Sequence, residues 1–348
     1  MKNIVFIIHT EYHLIEAVSY ILNEYHEGEY KPYIYRISLT DSHRLDRFSI
    51  QKEYIPAVYR EIRYEYNYKF DKAFKNCLEE IVTLSPDVLV IFDEGQYWYP
   101  YLLNRIKKEC STTIVMAPDG TNVYYNDDLS LEYRFKYFVH SIQFNYTHHL
   151  LPPFIPVIHK HHYAYTKEID ELWMEYTTSF NNFYKKKVCQ KPIYNSKLIR
   201  DTINRIFQYE CKEANDKSVV LFDAPYSNDT IDHCVELLKW MKLRYPNYNY
   251  LIKLHPHASK YAIEAYKTLD FVSYLSNKYP AELYIQNMHG SIYFSVHSTA
   301  MLSYNPTCHY FWTSPMVFEK KINELLINPT EYIHEISSFD QIGGILGE

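Results

Sequence analysis

The chain has 348 residues, is 47% apolar and carries a net charge of −6, enough material for two cores because single cores stop growing at about 250–300 residues. The acidic balance, with no long basic stripe, speaks against specific nucleic-acid binding, and no apolar run approaches the ~20 residues of a membrane span. The six cysteines stand singly with no CxxC, as expected of reduced thiols and not of a disulfide framework or a zinc site.

Residues 3–9 read as a first strand: the apolar run is only Ile4–Ile8 and meets polar residues at once, too short for a signal peptide. A cytoplasmic protein is the expectation. Residues 12–23 carry apolar positions at helical spacing, and 31–39 alternate as a second strand. A helix over 70–84 ends before Pro86. A buried strand over 87–92 (DVLVIF), a helix over 97–110 and a strand over 112–117 (TTIVMA) follow. This strand–helix alternation predicts a parallel sheet with helices on both faces.

The middle, residues 129–214, is aromatic and differs in pattern. Pro152, Pro153 and Pro156 predict a loop, and 168–182 and 196–208 read as helices. A second strand–helix pattern starts at 217. It has strands over 218–222, 248–254 and 310–312, helices over 230–244 and 261–269, strand ends at 282–286 and 291–295, a helix start at 299–303 and a closing helix over 318–327. The expected organisation is an N-terminal domain over 1–190 with a helical linker to about 215, a second domain over 216–330, and a tail over 331–348.

Ligands of open parallel sheets bind beyond the carboxyl ends of the strands, so the segments just after each strand are the candidates. After the first comes His9-Thr10-Glu11-Tyr12-His13. After DVLVIF comes Asp93-Glu94-Gly95, and after TTIVMA comes Pro118-Asp119-Gly120-Thr121. In the second half the strand over 248–254 runs into His255-Pro256-His257, and that over 291–295 into His297-Ser298-Thr299. A carboxylate in one domain with a histidine and hydroxyls in the other, facing each other across a cleft, would suit group transfer to a sugar hydroxyl. One group takes the acceptor proton, and donors hold the leaving phosphate. Each residue also has a plainer reading. Asp-Gly is a common turn pair, and Ser298 and Thr299 could be helix caps.

In this order the motifs resemble those of bacterial sialyltransferases of the GT-B type, the group with lipooligosaccharide sialyltransferases and polysialyltransferases. The matches are Pro118-Asp119-Gly120-Thr121, His255-Pro256, Pro280-Ala281-Glu282 and Ser298-Thr299. They cover residues 216–315 more firmly than 1–130, and the middle carries no match. The resemblance implies an α/β, GT-B type fold, two Rossmann-like domains with a cleft between them. It implies inverting transfer of sialic acid from CMP-sialic acid to a glycan or glycolipid hydroxyl, with Asp119 as base and His255 as acid. Pro256, Glu282, Ser298 and Thr299 would bind the donor, and Thr10, Glu11 and Tyr12 fall on the acceptor side. The literal acidic motif is met by Asp93 and Glu94, the alternative bases. Asp119 is preferred because Gly-Thr-x-x-Tyr follows it, as in the family.

No DxD motif is present, so no metal and no cofactor is expected. The histidines at 148, 149, 159, 161 and 162 match no compact ligand spacing. Lys185-Lys186-Lys187 reads as a solvated face, with a weak peripheral contact to anionic lipid as the alternative. Two other functions stay open: a CMP-Kdo or CDP-polyol phosphate transferase, and a non-catalytic nucleotide- or glycan-binding protein on the same fold.

Overall fold

The computed structural model describes residues 1–25, 28–39, 48–65, 70–120, 130–150, 166–177, 186–192, 195–210, 217–317, 328 and 330–347. The chain forms two compact units, residues 1–206 and 207–348.

The first unit is built on a seven-stranded, all-parallel sheet in the order β3-β2-β1-β4-β5-β6-β7. The strands are β1 Lys2–Ile8, β2 Tyr30–Leu39, β3 Val58–Tyr64, β4 Val88–Ile91, β5 Thr113–Met116, β6 Glu171–Met174 and β7 Lys187–Gln190. β1 is wholly buried from Ile4 to Ile8, as expected of a central parallel strand with both faces covered. The helices are α1 Glu11–Glu24, α2 Lys72–Thr83, α3 Tyr99–Glu109, α4 Leu131–Thr147 and α5 Lys197–Phe207. Side chains fix their starts: Thr10, Asp71 and Ser130 cap α1, α2 and α4 by accepting the N–H of His13, Phe74 and Tyr133.

The second unit carries a six-stranded parallel sheet in the order β10-β9-β8-β11-β12-β13. Its strands are β8 Ser218–Phe222, β9 Asn249–Lys253, β10 Val272–Tyr274, β11 Ile292–Ser295, β12 His309–Trp312 and β13 Ile333–Glu335. Its helices are α6 Asn228–Arg244, α7 Lys260–Lys267, α8 Ala281–Asn287 and α9 Asp340–Leu346. The core joins Val219, Leu221, Ile231, Leu238, Ile252, Tyr266, Phe294 and Phe311.

The strands β3, β7 and β10 have no counterpart in the sequence reading, and four elements that it named differ. Residues 171–174 form an edge-ward strand where a helix over 168–182 was expected; Leu172, Trp173 and Met174 are all buried, so the segment shows no one-sided helical stripe. Residues 281–287 are a helix, not a strand end. Glu282 to Gln286 are buried without a break, which removes the helical period, although Pro280 and Glu282 are helix-start residues. The segment over 331–348 is no tail, since Ile336 and Ile342 lie in the second core and β13 extends the sheet. The helix expected from 299 is a single 3₁₀ turn, Thr299–Leu302. The proposed helix over 318–327, the prolines at 152, 153 and 156, and the histidines at 159, 161 and 162 lie outside the described residues.

Candidate functional site

In each sheet the strand order reverses once, between β1 and β4 in the first and between β8 and β11 in the second. Such switch points leave a crevice beyond the carboxyl ends of the strands. The candidate residues fall into one group in each unit.

In the first unit β1 ends at Ile8 and α1 begins at Glu11, so His9 and His13 stand at one end of the sheet. Thr10 accepts the His13 N–H at 3.2 Å, which makes it the cap of α1. The His13 ring stacks on Phe92, just past β4, at 4.6 Å and 11°. Its Nδ1 accepts the backbone N–H of His9 at 3.2 Å. That bond leaves the ring proton on Nε2, and Nε2 lies 2.8 Å from Oδ1 of Asp119. The imidazole is therefore the donor and the carboxylate the acceptor. Gly120 has φ +60, and this left-handed backbone beyond Asp119 suits glycine. The Asp119 side chain keeps 32% of its surface exposed, against 2% for His13.

The other acids here are committed to the fold. Asp93 accepts the Gly95 N–H at 2.6 Å and the Gln96 amide at 3.1 Å, closing its own loop. Glu94 is 1% exposed and accepts the Thr166 N–H at 3.0 Å. Glu11 pairs with the buried Arg36. Tyr12 packs edge-on to His13, with centroids 6.1 Å apart. His9 lies 2.6 Å from the Ile37 carbonyl and 2.7 Å from the Tyr99 hydroxyl, and burial holds its imidazole below the usual histidine value despite the nearby Asp93. The downstream Thr121–Tyr125 pattern that favoured Asp119 lies outside the described residues. The lysine run is not a solvated face throughout: Lys186 donates to the carbonyls of Thr166 and Ile169, and Lys187 pairs with Glu171.

In the second unit β9 ends at Lys253, and a turn closed by the Ala258 N–H on the His255 carbonyl at 2.9 Å follows. Pro256 occupies the second position of that turn, where its fixed φ is favoured. His255 Nδ1 accepts the His257 N–H at 3.1 Å, so its ring proton also sits on Nε2. Ser298 caps the 3₁₀ turn, its hydroxyl accepting the Ala300 N–H at 3.3 Å, while its own N–H donates to Ser295 Oγ at 2.9 Å. Thr299 opens the turn. Four residues align too few peptides for a full helix dipole, so hydroxyls and individual N–H groups are the donors this loop offers. Glu282 lies in the first turn of α8 and is 8% exposed.

The sequence reading missed Asp223, although it follows the apolar run of β8 directly. Its Oδ2 accepts the His255 N–H at 3.3 Å and its Oδ1 accepts the Tyr266 hydroxyl at 3.1 Å. It thereby fixes the start of the histidine loop. Burial pushes its carboxyl up to about 6. A raised carboxyl contributes most below the unfolded value, and that contribution is lost as pH rises through about 6. Asp223→Asn removes this loss and keeps one acceptor and one donor. The variant should gain on the wild type by roughly 2–3 kcal/mol between pH 4 and pH 7.5. Urea unfolding at both pH values measures it, and a gap that stays constant with pH would contradict the raised carboxyl.

Among the described residues no group of three or more His, Cys, Asp or Glu side chains is placed to hold a metal ion, and no helix is long and apolar enough to cross a membrane.

No family model matches the chain, and no curated protein matches its sequence. Solved structures do resemble it. One is the GT-B domain of a sialyltransferase from Photobacterium damselae, at 12% identity and TM-score 0.52, over 100% of this chain and 97% of that one. Another is a UDP-GlcNAc 2-epimerase from Methanocaldococcus jannaschii, at 11% identity and TM-score 0.51, over 100% of this chain and 92% of that one. Likeness at such identity shows the fold, and the two parallel α/β sheets have the GT-B fold.

Proposed function

We propose that the protein is a metal-independent, inverting glycosyltransferase that moves sialic acid from CMP-sialic acid to a hydroxyl of a glycan or glycolipid. The observation that carries the reading is the Asp119 carboxylate beyond β5, which accepts the His13 Nε2–H and keeps 32% of its side-chain surface exposed. A base needs such an acceptor within reach of substrate. The chemistry is one displacement. The acceptor oxygen bonds to the anomeric carbon, the bond from that carbon to the CMP phosphate oxygen breaks, and Asp119 takes the hydroxyl proton. The departing phosphate keeps the electron pair and is met by donors: His255 Nε2–H, the Ser298 and Thr299 hydroxyls and N–H groups of their turn. Glu282 accepts from the ribose hydroxyls, while Pro256 shapes the histidine turn. A cytoplasmic site of action, working on capsule, O-antigen or lipooligosaccharide precursors, fits this donor.

The donor is the first thing to test. A ligand bound only by the folded state stabilises it by about 2.7 kcal/mol at a hundredfold excess over its Kd. CMP should raise the thermal midpoint, and UDP and UDP-GlcNAc much less. A larger shift with UDP would sink the CMP assignment and turn attention to epimerase-like chemistry. Release of CMP from CMP-sialic acid that accelerates with an added galactoside completes the test.

A further inference from the structure

We propose that His13 is the positioning residue of the base, a neutral imidazole that orients the Asp119 carboxylate through its Nε2–H and never itself receives the acceptor proton. The inference rests on the reading of Asp119 as base, and it assigns to the first turn of α1 a duty beyond folding.

Three restraints converge on this ring. Thr10 fixes the backbone by capping the His13 N–H at 3.2 Å. The His9 N–H fixes the tautomer by donating to Nδ1 at 3.2 Å. Phe92 fixes the ring plane by stacking at 4.6 Å and 11°. His9 is itself held, its ring nitrogens lying 2.6 Å from the Ile37 carbonyl and 2.7 Å from the Tyr99 hydroxyl. The outcome is a single N–H aimed at one oxygen of Asp119 at 2.8 Å. Preorganised supports of this kind are what hold a reacting group in its working geometry.

The same geometry decides which partner does the chemistry. Both ring nitrogens of His13 are engaged, and the side chain is 2% exposed, against 32% for Asp119. The carboxylate thus offers surface to an acceptor sugar, and the imidazole offers almost none. His13 therefore acts through Asp119, as the outer-sphere partners of metal ligands act through the ligand.

The experiment uses the full chain, CMP-sialic acid and lactose as a probe acceptor. Imidazole ¹⁵N NMR should show His13 with a protonated Nε2 and a bare Nδ1, and Asp119→Asn should move the Nε2–H signal. A protonated Nδ1, or a signal that ignores Asp119→Asn, overturns the inference whether or not lactose is used. His13→Phe keeps the stack on Phe92 and removes the donor. It should lower kcat by about 10–100-fold, the loss that removing an outer-sphere partner causes at metal ligands, with the donor KM unchanged. His13→Gln, whose amide can donate in the same place, should recover most of that loss. Thermal melts of both variants separate misfolding from misorientation. Normal turnover in His13→Phe, or a loss in His13→Gln as deep as that in Asp119→Asn, also overturns the positioning role. If Asp119→Asn itself leaves turnover intact, the base assignment falls instead, and the tautomer measurement still decides whether the pair exists.

Discussion

Asp119→Asn should lower kcat by roughly 10²–10⁴, the size of a general-base contribution, while CMP affinity stays within error of the wild type. The substitution keeps the shape and exchanges an acceptor oxygen for an amide, so the His13 Nε2–H can still find a partner. What disappears is the capacity to take a proton. The controls are informative because each alternative acid is already occupied. Glu94 is 1% exposed and bound to the Thr166 N–H, so Glu94→Gln should leave turnover alone. Its carbonyl can still accept that N–H, and the change in stability should be small. Asp93→Asn should behave likewise, provided the Gly95 N–H keeps an acceptor. Steady-state CMP release and CMP titration calorimetry measure the two quantities. Loss of turnover in Glu94→Gln with a working Asp119→Asn would move the base to the β4 loop. Full turnover in all three variants would end the carboxylate-base mechanism, whereas CMP binding without any turnover in the wild type would favour a binding protein on the same fold.

Why the sequence points to Asp119 but not to its pairing with His13 has a physical answer. Post-strand residues are readable because parallel strands are buried on both faces and appear as unbroken apolar runs, such as SVVLF before Asp223 and TTIVMA before Pro118. The end of the run marks the mouth of the sheet. The contacts across that mouth are not readable, because they depend on strand order. His13 reaches Asp119, 106 residues away, because β1, β4 and β5 are adjacent in the sheet while β2 and β3 lie on the other side. Nothing in local composition encodes that adjacency. The helix α8 fails for the opposite reason. Its residues 282–286 are buried on every side, so the polar face that would betray a helical period is missing. Elements at the sheet margins, β10 and β13, are three residues long, too short for any pattern to register. The serine–threonine pair is placed where the pattern put it, after β11, but its turn is shorter than a helix start implies.

His255→Ala should damage both donor binding and turnover, unlike Asp119→Asn. The His255 ring is held with Nδ1 accepting the His257 N–H at 3.1 Å, within a turn that Asp223 anchors at 3.3 Å. Its Nε2–H is then a fixed donor at the carboxyl end of β9. A hydrogen bond to a charged group contributes about 1.5–3 kcal/mol, so CMP affinity should fall by roughly 10–100-fold, the conversion of that energy at 1.4 kcal/mol per decade. Turnover should fall further, by about 10²–10³, because charge on the phosphate grows as the glycosidic bond breaks and one preorganised donor is worth that much in the transition state. His255→Gln distinguishes two ways the ring could serve. A neutral imidazole whose Nδ1 is already an acceptor works as a hydrogen-bond donor, and the glutamine amide can donate from nearly the same place. His255→Gln should therefore recover most of the CMP affinity and a large part of kcat. If it recovers affinity but remains as slow as His255→Ala, the ring must deliver a proton to the phosphate and the His257 contact must break during the reaction. If His255→Ala changes neither affinity nor turnover, while the thermal midpoint without ligand is unchanged, the donor phosphate is not bound at the end of β9 at all.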